Sequence, residues 1–230
     1  NGRQQARDVI GRTLGGPGDQ VAVEDPGYRP VTWLLRAAGC EVVPVPVDDE
    51  GLVVEAVPPG VRLVYVTPSH QYPMGMVMSL RRRLALLEWA ERADAAIVED
   101  DYDSEFRFGG RPIEPLWSLD RRGRVLYVGT FSKTLLPTLR LGFVVAPPSV
   151  VPALRRAKFL TDWHTDLPSQ QALARFIGEG LFAAHVRRCA VYGAVLLAGA
   201  CSTVRQAPPT AESPKPRPPS LAGRSVLGLP

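Results

Sequence analysis

Four short apolar runs, each ending in residues that carry chemistry, constrain this chain most. They are residues 21–23 before Glu24 and Asp25, 62–67 (RLVYVT), 95–98 before Glu99 and Asp100, and 125–128 before Gly129 and Thr130. Apolar runs of this length, bounded by turn residues, fit buried strands. Amphipathic helical patterns separate them. Ala6, Val9, Ile10 and Leu14 form one stripe, and Leu80, Leu84, Leu87 and Ala90 form another behind the cap residue Ser79. Tyr28 opens a helix that runs to about Ala38 and stops at Gly39. Residues 41–47 alternate Val with Pro44 and Pro46, which reads as an edge strand or an extended segment because proline cannot donate to a ladder. Residues 107–124 read as a loop, and 149–160, a segment opening at Pro168 and 187–197 read as helices. Strand alternating with helix predicts an α/β fold, a mainly parallel sheet flanked by helices on both faces. In such sheets ligands bind at the carboxyl ends of the strands.

Residues 128–145, VGTFSKTLLPTLRLGFVV, hold the most informative of those ends. Lysine is scarce: Lys133, Lys158 and Lys215 are the only three, against an arginine-rich background. An amine can form a Schiff base with an aldehyde, whereas a guanidinium cannot. Lys133 stands between Ser132 and Thr134, with Thr130 before it and Arg140 after it. Hydroxyls and a planar guanidinium are the donors that a phosphate needs. The bland alternative is a solvated loop lysine.

The second motif is the acidic run after residues 95–98. Glu99, Asp100, Asp101, Asp103 and Glu105 put five carboxylates within seven residues. Such a run can bind a divalent cation or form a solvated turn. At the start of the chain, Gly2 precedes a helical pattern, and free N–H groups there suit an anion, although a plain helix start explains the same residues. Tyr28 follows Glu24-Asp25-Pro26-Gly27 and is either a core residue or part of a site. His70 and Tyr72 fall in a Pro-Ser-His-Gln-Tyr-Pro-Met-Gly segment, where His70 is equally a structural or a site residue.

Taken in order, these motifs resemble fold-type I pyridoxal-phosphate (PLP) enzymes. The closest likeness is to the aminotransferase-like domain of MocR-type regulators of the GntR superfamily, over residues 1–195. The carrying segments are Glu24-Asp25-Pro26-Gly27-Tyr28, His70-Gln71-Tyr72-Pro73, Glu99-Asp100-Asp101-Tyr102-Asp103-Ser104-Glu105 and the Lys133 stretch. The resemblance implies the large domain of that fold, with PLP as cofactor and Lys133 as its Schiff-base residue and proton shuttle. It implies that Asp100 pairs with the pyridine nitrogen, which keeps the ring an electron sink. Asp101 takes that part if the strand ends one residue later. Tyr102 is implied to reach the phenolic oxygen, and Tyr28 to stack on the ring. Thr130, Ser132 and Arg140, with backbone groups at Gly2 and Gln4, are implied to hold the phosphate. Arg3 stands where the family has Ser, so the backbone donors survive and the hydroxyl contact does not. Tyr72 takes the slot of the Asn found in housekeeping transaminases.

Composition bounds the rest. Of the net charge of +4, residues 201–230 carry +3, so the folded part offers little sign of a nucleic-acid surface. Three widely spaced cysteines give no disulfide framework or metal spacing and fit a reducing, cytoplasmic setting. No apolar stretch is long enough to span a membrane. Residues 1–200 are expected to form the PLP-binding domain, incomplete at both ends. Residues 201–230 are expected to be a disordered tail, since 206–220 hold six prolines. That change of composition fits a shifted reading frame or a truncated gene, and the Asn start fits a missing beginning. The expected function is PLP chemistry on an amino acid or amine, as transamination or as effector sensing in a regulator. A nonfunctional fragment is the alternative. Homodimerisation is implied by the resemblance, and the chain lacks the helix-turn-helix that DNA contact would need.

Overall fold

The computed structural model describes residues 2–105 and 114–204, with side chains as far as residue 192. In chain order the elements are helix α1 (Gly2–Leu14), strand β1 (Gln20–Asp25), helix α2 (Arg29–Ala37), and strands β2 (Glu41–Asp48), β3 (Gly51–Leu52) and β4 (Val61–Val66). Helix α3 (Leu80–Arg92), strand β5 (Ala96–Asp100), the one-turn helix α4 (Leu116–Leu119), and strands β6 (Val125–Thr130) and β7 (Gly142–Val145) follow. Helices α5 (Val151–Asp162), α6 (Leu167–Gly178) and α7 (Leu181–Val204) complete the described chain. The chain forms two units, Asn1–Val191 and Tyr192–Pro230, and the sheet lies wholly in the first.

The sheet has seven strands in the order β3-β2-β1-β4-β5-β6-β7. All pairings from β2 to β6 are parallel, and β3 and β7 are antiparallel to their neighbours. This is the expected mainly parallel α/β sheet. Successive strands run outward from β1 to β2 and then restart on its other side at β4. A crevice therefore opens above the carboxyl ends of β1 and β4, where strand order reverses.

Alternation along each buried strand feeds two cores. On one face Ala22, Val64, Val66, Ile97 and Val125 meet Leu86 and Ala90 of α3 and Leu116 of α4. On the other, Val21, Val23, Leu63, Tyr65, Val98, Leu126 and Val128 meet Val9 and Ile10 of α1, Leu35 of α2 and Leu154 of α5. Period-2 side-chain direction makes this division unavoidable once the register is set.

β2 pairs with β1 along its length, from Glu41 opposite Gln20 to Pro46 opposite Asp25. On its outer side only Val47 and Asp48 are paired, with β3. Pro44 and Pro46 are two apart, so both lost N–H groups face one side, and the open side tolerates them. α4 lies inside the stretch expected to be a loop. Pro115 precedes it, and the Glu99 carboxylate accepts from the Leu116 and Trp117 N–H groups, both at 2.9 Å. A partner seventeen residues upstream supplies that cap, which local sequence does not display. Residues 187–197 fall within α7, as do residues 201–204; the rest of the expected tail lies outside the described residues.

Candidate functional site

Asp100 ends β5 with its side chain fully buried. Glu99 and Asp101 flank it and, by alternation, point to the opposite face. Glu99 caps α4 and lies 3.6 Å from the buried Arg83 guanidinium. Asp101 accepts a 2.7 Å bond from the Tyr127 hydroxyl and another from the Ser104 N–H. Asp103 meets His70 Nδ1 at 2.7 Å. The acidic run thus disperses to separate partners, and among the described residues no group of three or more His, Cys, Asp or Glu gathers as a metal site.

Asp100 faces α1. Arg7 Nε donates to Asp100 Oδ2 at 2.6 Å, and another Arg7 nitrogen lies 2.5 Å from the same oxygen. Arg3 donates to Asp100 Oδ1 at 3.3 Å, and the Tyr65 hydroxyl donates to Oδ2. Burial, then the neighbouring Asp100 charge, pushes the Tyr65 hydroxyl well above its ordinary pKa, so it stays a donor. The Arg7 guanidinium carbon sits 4.4 Å from the centre of the Tyr28 ring, a cation–π distance. Arg3 lies 5.4 Å over Tyr102, and Tyr102 stacks on His70 with ring centres 5.7 Å apart. Burial raises the Tyr102 hydroxyl above its ordinary value, with Asp103 adding to the effect. Tyr72 meets Tyr28 edge-on at 5.5 Å.

These side chains enclose a cavity of about 210 Å³, lined by Arg3, Arg7, Tyr28, Tyr65, Thr67, Tyr72, Tyr102 and Lys133. Lys133 arrives from the loop after β6. That loop is braced at both ends, with Thr130 opposite Gly142 in the β6–β7 ladder and Phe131 N–H bonded to the Leu141 carbonyl at 3.2 Å. His185 of α7 adds a third brace, its Nε2 lying 2.8 Å from the Thr134 carbonyl oxygen. Phe131 packs between Phe143 and Phe182.

Next to the lysine loop stand groups whose chemistry suits an anion, a candidate anion cradle. The Thr130 and Ser132 hydroxyls are 3.1 Å apart, and the Ser132 N–H donates to Thr130 Oγ1 at 3.2 Å. Arg140 holds a left-handed backbone (φ +51°, ψ +33°), unusual for a residue with a side chain and common at functional sites. Its guanidinium closes over the start of α1, since a Cβ on Gly2 would lie 3.5 Å from the guanidinium carbon. Gly142 allows this approach, because a Cβ there would come within 3.2 Å of the Arg3 nitrogen. Free N–H groups of the first helical turn and a guanidinium together suit a phosphate. Gly2 and Arg140 also border a second cavity of about 1010 Å³ between α1, β7 and α5.

The structure therefore brings Gly2, Arg140, Thr130 and Ser132 to one end of the site, and Tyr28, Tyr102 and Lys133 around its cavity. Gln4 turns its side-chain oxygen to Arg7 at 3.2 Å. Arg3 points its side chain at Asp100 rather than at the cradle. Sequence reasoning missed Arg7, Tyr65, Thr67 and His185. Arg7 had a signal: it shares a helical row with Ile10 and Leu14, so a charge was being placed on a buried face.

The model for "Aminotransferase class I and II" matches residues 1–188. The chain belongs to the aminotransferase class I and II family. It is 48% identical over 189 residues to a probable rhizopine catabolism regulatory protein, MocR, of Rhizobium meliloti, covering 82% of this chain and 38% of that protein. It is 37% identical over 196 residues to aromatic-amino-acid aminotransferase 1 of Thermococcus litoralis, covering 81% of this chain and 47% of the relative. Among solved structures, kynurenine aminotransferase of Pyrococcus horikoshii, in complex with PMP, superposes with a TM-score of 0.79 at 36% identity. That match covers 82% of this chain and 49% of the other. The chain thus spans under half the length of these relatives, and its fold is that of fold-type I aminotransferases.

This family's cofactor is PLP, and the residues present can be tested against it. The anion cradle fits a phosphate, and Lys133 supplies an amine beside it. The ring end offers a buried carboxylate and an aromatic face, the partners a planar cation needs. Both are engaged by a planar cation of the chain itself, the Arg7 guanidinium.

Proposed function

We propose that this aminotransferase-like domain binds PLP through Lys133 and acts on amino acids or amines, by transamination or as the effector-binding part of a MocR-type regulator. The observation that carries the reading is one arrangement: Lys133 lines a cavity with Tyr28 and Tyr102, beside an anion cradle at Gly2 and Arg140. PLP, when bound, supplies an electron sink that makes the substrate's Cα–H acidic.

The chain's own residues do the rest. Arg140, Thr130, Ser132 and the first N–H groups of α1, at Gly2 and Gln4, would hold the phosphate. With the cofactor bound, Lys133 would supply the amine that holds its aldehyde and would be the group placed to move a proton at the substrate Cα. Asp100 would hold a proton at the ring nitrogen, and Tyr65 donates to that carboxylate. Asp101 is the weaker candidate, because by alternation it points to the opposite face, toward Tyr127 and Ser104 and away from α1. Tyr28 would stack on the ring, and Tyr102 would reach its phenolic oxygen.

The regulator reading has its own support, in the 48% identity to MocR. A homodimer is part of the proposal, and DNA contact is assigned to residues outside this chain. PLP titration, borohydride reduction and peptide mapping test the core claim. A single reduced adduct on Lys133, absent in Lys133→Ala, is expected. An adduct on Lys158, or none on folded protein, would refute it.

A further inference from the structure

We propose that Arg7 is a built-in occupant of the ring slot, which the cofactor must displace in order to bind. The inference rests on the reading of the cavity as a PLP site. A protonated pyridine ring and a guanidinium share a chemistry: each is flat, cationic and an N–H donor. Both seek a carboxylate in their plane and an aromatic face above it. Arg7 already has both, with Asp100 at 2.6 Å and the Tyr28 ring centre at 4.4 Å. Gln4 Oε1 fixes a third edge, accepting from Arg7 at 3.2 Å.

The contact is not a loose surface pair. Arg7 is only 4% exposed, and Asp100 only 1%. With Arg7 in place the cavity between Tyr28, Tyr102 and Lys133 is about 210 Å³. Small-molecule pockets run from roughly 300 to 1,000 Å³, so the remaining space is short for a cofactor with a substrate attached. The anion cradle at Gly2, Thr130 and Arg140 does not involve Arg7. The chain is therefore assigned a ring end that is gated by its own side chain, separate from the phosphate end. Arg7 has a flexible stem and can leave while the backbone of α1 stays in place. Arg3, already on Asp100 Oδ1, then offsets part of the lost charge.

The test uses pyridoxamine phosphate, which cannot bond covalently to Lys133, together with PLP and inorganic phosphate. Equilibrium dialysis against wild type, Arg7→Leu and Arg7→Lys gives the affinities. Arg7→Leu should bind pyridoxamine phosphate at least tenfold tighter than wild type. Arg7→Lys, which keeps a cation on Asp100 but lacks the planar fork, should fall between them. Inorganic phosphate should bind all three alike. If Arg7→Leu does not fold, Arg7→Lys carries the comparison. Equal or weaker pyridoxamine phosphate binding by the folded variants overturns the gate and leaves the cofactor reading standing. Folded proteins that take neither PLP nor pyridoxamine phosphate overturn that reading, and this inference with it.

Discussion

Glu24 shows at the scale of one residue how the site's margin titrates. It is buried at the end of β1, accepting from Thr67 N–H at 3.2 Å, Thr67 Oγ1 at 2.6 Å and Gln71 Nε2 at 3.3 Å. Burial outweighs those bonds and raises its pKa to about 7. The folded state therefore holds this proton more tightly than the unfolded chain does. The resulting stability is full below about pH 4.5 and is lost as pH rises to about 7, on the order of 3 kcal/mol in all. Glu24→Gln should remove that slope, so its denaturant midpoint should change less than that of wild type between pH 4.5 and 7. An unchanged slope would assign the titration to another group. Glu24 was visible in the sequence only as part of a motif. Its protonation depends on Thr67 and Gln71, which lie more than forty positions away. Asp100 and Asp101 were left open by the sequence, because the end of the strand could not be read to one residue; in the structure alternation separates them, with Glu99 and Asp101 facing away and Asp100 facing α1.

Among the elements, β6 and β7 carry the most chemistry per residue. Gly142 keeps β7 close to both Gly129 and the first turn of α1; a Cβ there would sit 2.8 Å from the Gly129 carbonyl oxygen. Gly142→Ala should cost about 1–3 kcal/mol in thermal unfolding and weaken inorganic phosphate binding in parallel. Loss of stability with unchanged phosphate affinity would separate this glycine from the cradle. On the opposite face Arg83, wholly buried, donates to the Met78 and Pro68 carbonyls at 3.0 and 2.8 Å and lies 3.6 Å from Glu99. Arg83→Met should cost roughly 3–5 kcal/mol by denaturant unfolding, because it leaves Glu99 buried without its cation. Strands and long helices were readable from periodicity. α4 was not, since its cap comes from Glu99 across the fold and its four residues are too few to show a period.

The whole molecule shows why the alternation of strand and helix was the reliable signal. Four strand ends deliver candidate site residues to the same edge: Tyr28 after β1, Thr67 after β4, Asp100 on β5 and Lys133 after β6. What surrounds that edge was less legible, because exposed apolar residues carry no local pattern. Phe159, Leu160, Trp163 and Leu167 are all more than half exposed along α5 and the start of α6. Clustered apolar surface of this kind drives association. The chain should self-associate at micromolar concentration by light scattering, and Leu160→Ser with Trp163→Ser should return it toward monomer. A monomeric wild type would show that these residues are tolerated singly. Among the described residues no helix is long and apolar enough to cross a membrane. The lysine loop and the Arg7–Asp100 pair also differ in how far apart their parts lie along the chain. Thr130 and Gly142 close a short loop, whereas Arg7 and Asp100 are 93 positions apart. Loop-closure entropy costs less for the short β6–β7 ladder than for the long-range ion pair. The Lys133 loop therefore closes locally, whereas closure of the Arg7–Asp100 pair marks the point at which α1 and β5 have found each other.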